Sequence, residues 1–308
     1  MIRKFDLVAL GEAMVEFNQT LAGQPDYLQG FGGDTSNAVI AASRAGVKTA
    51  YLSRLGHDTF GDALMALWAQ ENVDTSAVEQ DRTAATGLYF VTHGDQGHEF
   101  SYLRAGSAAS RMTTAWLQQS AASAIRDSRI LHVSGISLAI SPGACDTAFA
   151  AMRLARESGT LVSFDSNLRL KLWPLDRALA CTRHAISLCD IFLPSLEDIT
   201  ALNGMTDPDQ VVDWGHTLGA TQVVLKLGSE GALVSDGSTR ERVPVHRVKL
   251  LDATGAGDCF CGNLLARIAR GDSIFKATRY ANAAAALTVQ GYGAVAPLPR
   301  PEQVMALL

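Results

Sequence analysis

Leu251-Asp252-Ala253-Thr254-Gly255-Ala256-Gly257-Asp258-Cys259-Phe260 sets a carboxylate among bare backbone amides at the head of an apolar-striped helix. Phe260, Cys261, Leu264, Leu265 and Ile268 recur at helical spacing before Gly271. Gly255, Ala256 and Gly257 are therefore expected in the first turn, where unpaired N–H groups and the helix dipole favour an anion. Asp258 then lies one residue into that nest. A carboxylate beside an anion site is electrostatically unfavourable unless it takes a proton from a hydroxyl that attacks a bound phosphate, which is general-base work. Asp and Gly are also ordinary helix-start residues, and on this motif alone a plain cap stays open.

Outward from this helix, short apolar runs alternate with helical stretches. Phe5 to Leu10, Thr49 to Ser53, Ile130 to Val133, Leu161 to Phe164, Ile191 to Leu193 and Val223 to Lys226 read as strands buried on both faces. Ser36 to Ala45, Asp58 to Gln70, Pro142 to Ser158, Asp176 to Cys189 and Pro208 to Leu218 read as capped helices, with Gly255 to Arg270 and Ser273 to Gln290 closing the order. The expected class is α/β, a doubly wound and mainly parallel sheet, in a single domain over 1–308. One region breaks the rhythm. Thr86 to Thr92 and Glu99 to Arg104 alternate like strands around the turn-rich His93-Gly94-Asp95-Gln96-Gly97, predicting a hairpin. With Met14 to Asn18 and Tyr27 to Phe31 it predicts a small β-sheet lid, inserted as segments of about 12–31 and 86–104, that keeps water from the site. Tyr102 and Arg104 share one face of that hairpin, and Tyr89 can join them across the pair, a set suited to a polyhydroxylated acid. A surface hairpin is the alternative for that segment.

Three further segments bear on chemistry. Gly32-Gly33-Asp34-Thr35-Ser36-Asn37 precedes the first main helix and offers short polar side chains to ligand hydroxyls, or a capped turn. Phe164-Asp165-Ser166-Asn167-Leu168-Arg169 leaves a strand at its carboxyl end, with Asp165, Asn167 and Arg169 on one side if extended. Val224-Leu225-Lys226-Leu227-Gly228-Ser229-Glu230-Gly231 ends another strand with a Gly-rich turn that lets backbone approach a nucleotide beside Lys226. There is no Gly-x-x-x-x-Gly-Lys-Ser/Thr run, and Gly11-Glu12-Ala13 stands where a dinucleotide fold would carry Gly-x-Gly-x-x-Gly. The seven histidines form no ligand cluster, and nothing local activates Ser141, Ser195 or Cys259 as a nucleophile.

Composition sets the broad class and says nothing against an anionic metabolite. The 308 residues are 47% hydrophobic and 19% charged, enough for a large core, and a net charge of -5 without a basic block argues against nucleic acid. Five cysteines, odd in number and without zinc-type spacing, suit a reducing compartment. Met1 to Asp6 lead directly into a strand, and no apolar run reaches membrane-spanning length, so a cytoplasmic protein is expected.

Gly32 to Asn37, Lys226 to Gly231 and Asp252 to Asp258 together resemble the signatures of the ribokinase-like, or PfkB, sugar kinases across nearly the whole chain. Gly11-Glu12-Ala13-Met14-Val15-Glu16-Phe17, Tyr102-Leu103-Arg104, Phe164 to Trp173 and Gly291 to Ala294 resemble the 2-keto-3-deoxygluconate kinases in particular. The resemblance implies sugar contacts from Gly33, Asp34, Asn37, Tyr89, Tyr102 and Arg104, with Arg169 between sugar and phosphates. It implies an ATP site from Asn167, Ser195, Lys226, Gly228, Gly231 and the Gly255, Ala256, Gly257 nest, with Asn282 near the base. Mg2+ would bridge the phosphates, and Glu197 in Ser195-Leu196-Glu197-Asp198 would reach it through water, where many relatives carry Asn-x-x-Glu. The implied reaction is transfer of phosphate from ATP to the terminal hydroxyl of a 2-keto-3-deoxy sugar acid, with Asp258 as base. A kinase of fructose or a nucleoside, an inactive sugar-sensing protein and a plain nucleotide-binding module are the alternatives. The implied partners are the small molecules alone, with a homo-oligomer formed through the lid.

Overall fold

The computed structural model describes residues 3–94 and 97–308, and of His98 the backbone only. In chain order the first half carries β1 (Phe5–Leu10), β2 (Met14–Gln19), β3 (Tyr27–Gly32), α1 (Asp34–Arg44), β4 (Thr49–Gly56), α2 (Thr59–Gln70), β5 (Val73–Asp74), β6 (Val78–Asp81), β7 (Gly87–Gly94), β8 (Gly97–Leu103), α3 (Thr114–Trp116) and α4 (Ala122–Arg126). The second half carries β9 (Ser128–Ser134), α5 (Gly135–Ala139), α6 (Pro142–Glu157), β10 (Leu161–Asp165), α7 (Leu175–Leu188), β11 (Ile191–Leu193), α8 (Leu196–Asn203), α9 (Pro208–Leu218), β12 (Gln222–Lys226), β13 (Ala232–Ser235), β14 (Arg240–Val243), α10 (Ala256–Ala269), α11 (Ile274–Thr288) and α12 (Pro301–Leu307).

The large sheet runs β14-β13-β12-β11-β10-β9-β1-β4-β5, with β6 also on β4, and is parallel except for β13 and β14. The apolar runs alternate faces with period two. Val8, Leu131, Phe164 and Phe192 point into the core beneath α6, α7 and α9, while Leu7, Ile130, Leu193 and Val224 pack against α10 and α11. From β1 the chain builds outward through β4 to β5, then returns to β9 on the other side of β1. The order of strands thus reverses between β1 and β9, and a crevice opens at their carboxyl ends, where such sheets bind ligands. Residues of four strand ends meet there: Glu12, Ile136, Asp165 and Lys226.

Over that crevice lies a second sheet, β3-β2-β7-β8, two antiparallel pairs joined by the parallel pairing of β2 with β7. Tyr89 sits directly opposite Tyr102, as the alternation predicts, with ring centroids 5.8 Å apart. The turn residues Asp95 and Gln96, and the terminal Met1 and Ile2, lie outside the described residues. On the floor, α1 and α10 cross in backbone contact: a Cβ added to Gly262 would lie 2.1 Å from the Ala38 carbonyl oxygen.

Several expectations are corrected. The first main helix starts at Asp34, so the polar segment that was expected to precede it forms its first turn. Gly33, at φ 115, makes the early turn, and the Asp34 carboxylate suits a helix start. Asp165, Asn167 and Arg169 do not lie along an extended strand: β10 ends at Asp165 and Asn167 takes φ 25. The edge strands β13 and β14 and the helical turns between Thr114 and Arg126 were not anticipated.

Candidate active site

The crevice is a cavity of about 1310 Å³ between the strand ends and the small sheet. Asp252 shapes its phosphate-like side. Its Oδ1 accepts the Thr254 amide at 2.9 Å and its Oδ2 the Gly293 amide at 2.8 Å, tying two loops together ahead of α10. Gly255 is the N-cap at φ 74, and any side chain there would strike Ala294. No side chain caps α10. The Ala256 amide donates to the Ala253 carbonyl at 3.2 Å, and those of Gly257 and Asp258 stay open to a ligand, the arrangement that binds anions. Gly255, Gly257 and Asp258 line the cavity; Ala256, grouped with them from the sequence, is not among the lining residues.

Asp258 stands in the first turn of α10 and accepts 2.8 Å from Asn37 Nδ2 on α1. Burial drives its carboxyl up to about 7, helped by the charge of Asp34 and opposed by the Asn37 hydrogen bond. A carboxylate so placed is half-ionised near neutral pH, which suits proton transfer. Beneath it, Lys226 Nζ donates to both oxygens of Asp165 at 2.8 Å, across the end of β11. Lys226 is thus an ion-paired cation of the floor rather than a free side chain of the Gly-rich turn, and its pKa is raised by Asp165 against the opposing effect of burial. The Cys261 thiol completes the group, 3.2 Å from Asp165 Oδ2.

Ser195 caps α8 by accepting the Asp198 amide at 3.1 Å, and Asp198 accepts the Ser166 hydroxyl at 2.7 Å. Glu197 is exposed on the same helix start, and with Ser195 and Gly228 it lines the cavity. Gly231 and Asn282 do not. Gly231 is packed against the Val243 carbonyl, and Asn282 donates to the carbonyls of Val243 and Pro244, bracing the segment after β14. Buried amides find such backbone partners because an unpaired one is costly. Asn167, grouped with the nucleotide from the sequence, donates 2.8 Å to Asp34 Oδ2 instead.

On the other side, Gly33, Asp34, Asn37, Tyr89, Tyr102, Arg104 and Arg169 all line the cavity. The second oxygens of Asp34 and Asn37, both Oδ1, are buried without a partner. The Tyr89 hydroxyl is not free for a ligand: it donates 2.5 Å to Glu16 Oε2. Arg104 is likewise engaged. It forms a buried ion pair with Glu12, whose Oε1 accepts the Ser107 hydroxyl at 2.5 Å. Burial pushes the Glu12 carboxyl up while Arg104 and Ser107 hold it down. Glu12 is the site residue that sequence reasoning missed; its signal was an acid directly after an apolar strand, at the end where ligands bind. Arg169 Nη1 donates to the Leu168 carbonyl at 2.8 Å.

Among the described residues no group of three or more His, Cys, Asp or Glu is arranged to hold a metal, and no helix is long and apolar enough to cross a membrane. Glu197 at a cavity edge fits a divalent ion carried in with phosphates, since Mg2+ keeps several waters and needs no closed protein cage.

Comparison with known proteins places this geometry. The chain is 33% identical to fructokinase-1 of Oryza sativa subsp. japonica over 322 residues, covering 98% of this chain and 97% of that protein. It superposes on a PfkB protein from Polaromonas sp. JS666 with a TM-score of 0.89 at 31% identity, covering 98% and 99% of the two chains. It superposes on a fructokinase from Vibrio cholerae O395, solved with fructose, ADP and calcium ion bound, with a TM-score of 0.87 at 29% identity over 99% of each chain. The family model for pfkB family carbohydrate kinases matches residues 4–301. With an uncapped helix start, a half-buried carboxylate and a sheet over the strand ends, the chain belongs to the pfkB family of carbohydrate kinases.

Proposed function

We propose that the protein transfers the γ-phosphoryl group of ATP to the terminal hydroxyl of a keto sugar, with Asp258 as general base. One observation carries the reading: a half-buried carboxylate, hydrogen-bonded to Asn37, stands within the first turn of a helix that no side chain caps. The acceptor hydroxyl gives its proton to Asp258 as its oxygen attacks the γ-phosphorus. The bond from that phosphorus to the β,γ-bridging oxygen breaks, and ADP leaves. The amides of Gly255 and Gly257 receive the charge developing on the transferred group, and Lys226, held by Asp165, adds a fixed cation below them. Ser195 and Gly228 would serve the rest of the triphosphate, and Arg169 would stand between phosphates and sugar. Glu197 would hold Mg2+ through water, and the ion would neutralise phosphate charge. The small sheet excludes water over the acceptor.

Fructose is the acceptor best supported. A similar protein is named a fructokinase and another was solved with fructose, and Glu12 already neutralises Arg104 inside the cavity. 2-Keto-3-deoxygluconate is the second reading, supported by Arg169 and Lys171, two cations that line the cavity and could meet a sugar-acid carboxylate. Consumption of ATP with each sugar, measured side by side with nucleosides as controls, tests both. No turnover with any of them would leave the sugar-sensing alternative. Assembly through the lid is part of the same proposal, supported by the exposed Leu28 and Leu103 on its strands.

A further inference from the structure

Cys261 is a fully buried thiol to which the proposed reaction gives no task. It stands on α10 one helical turn after Gly257 and Asp258, on the same face. A Cβ placed on Gly257 would find Lys226 Nζ at 4.0 Å, and the same nitrogen reaches the Cys261 sulfur at 3.8 Å. The ammonium is therefore seated along the first turns of α10. The hydrogen of the thiol goes to Asp165 Oδ2 at 3.2 Å. That carboxylate is itself buried, holds Lys226 by both oxygens at 2.8 Å, and takes the Asn167 amide on Oδ1 at 3.3 Å. Burial and the Asp165 charge push the Cys261 thiol well above its ordinary pKa, so the sulfur keeps the proton it donates.

An ammonium paired in this way meets a competitor when a triphosphate arrives, since several negative charges would draw it off a carboxylate that was free to turn. Asp165 is not free. Cys261 holds one of its oxygens and the Asn167 amide the other, so turning the carboxylate would break both bonds. We propose that Cys261 is a positioning residue: its thiol keeps Asp165 turned to Lys226, and the ammonium thereby meets the γ-phosphate from a fixed place beside the open turn of α10. The inference rests on the proposed ATP site, and it makes the donor at 261 matter beyond the volume that a small apolar side chain would fill.

The test is calorimetric affinity for ATP and for ADP, each with Mg2+ and without sugar, on wild type, Cys261→Ala and Cys261→Ser. Alanine deletes the donor, and serine returns one on a shorter bond. ATP binding should weaken in Cys261→Ala by about three- to tenfold, the size of a net hydrogen bond, and return to within about twofold of wild type in Cys261→Ser. ADP lacks the γ-phosphate and should bind all three proteins alike. A residue that only fills space gives another pattern: serine is then the poorer replacement, because a buried hydroxyl without a partner is costly, and both nucleotides move together. Equal ATP affinity in wild type and Cys261→Ala, serine no better than alanine, losses shared by ADP, or no binding of ATP to wild type overturns the inference. Should neither variant fold, Raman spectra of wild type decide. Among the described residues Cys261 is the one thiol bonded to a carboxylate, so the S–H band displaced furthest by hydrogen bonding should move when ATP is added and stay when ADP is. A band that ignores ATP overturns the inference as well. Failure of the proposed reaction shows separately, as bound ATP that no sugar causes to be consumed.

Discussion

Replacing Asp258 with Asn should remove the chemistry and strengthen the fold, and the strengthening should depend on pH. The side chains are isosteric, and an Asn oxygen at 258 can still accept the 2.8 Å bond from Asn37. What changes is the charge. In wild type the carboxyl is raised from 3.8 to about 7, chiefly by burial. Each unit is worth about 1.4 kcal/mol, so full ionisation costs the folded state at most about 4.5 kcal/mol, and water in the open cavity should reduce this to about 1–3 kcal/mol. Because the folded pKa lies above the unfolded one, the folded protein holds more protons between about pH 4 and 7, and stability falls as pH rises through that window. Asp258→Asn escapes the fall. Its advantage over wild type in denaturant melts should be small at pH 5 and grow towards pH 8. Turnover should drop by about two to four decades, the scale of general-base removal. In wild type, kcat/KM should climb about tenfold per pH unit below 7 and level off above it. Near-normal turnover in the variant, or a stability difference that does not widen with pH, would refute the reasoning.

Gly257→Val should fold, since a Cβ there meets only Lys226 Nζ at 4.0 Å, yet it would crowd the space before the open amides. ATP turnover should fall by at least tenfold, about 1.4 kcal/mol, while calorimetry shows sugar binding unchanged. Arg104→Ala leaves Glu12 buried without its cation, so melts should show a loss of about 3 kcal/mol, and fructose and sugar-acid use should fall by similar factors. A selective loss of the sugar acid would instead put its carboxylate on Arg104. Lys226→Met should likewise cost about 3 kcal/mol by stranding Asp165, and should raise KM for ATP more than KM for the sugar.

The parallel sheet was legible because buried strands announce themselves as unbroken apolar runs: Phe5–Leu10 and Ile191–Leu193 lie where the runs lie. Helix starts were legible where a side chain caps them, as Asp58 does for α2 by accepting the Gly61 amide. They were misread at α1, where Gly33 turns the chain by conformation and leaves no capping signature. β13 and β14 escaped because β14 is Arg-Glu-Arg-Val and reads as surface. In the site, residues of one local motif were found together. The pairs that neutralise it, Glu12 with Arg104 and Asp165 with Lys226, join segments far apart in the chain, and only the sheet order brings them into reach.

The contact of Gly262 with the Ala38 carbonyl welds α1 to α10. Asp34 and Asn37 ride on one of these helices and Asp258 on the other, so the spacing between the proposed acceptor contacts and the proposed base follows from main-chain packing. For anyone altering acceptor choice, this defines what is adjustable. Side chains projecting from the two helix starts set which groups meet the acceptor, whereas bulk added at 262 would pry the pair apart and detune every substrate at once.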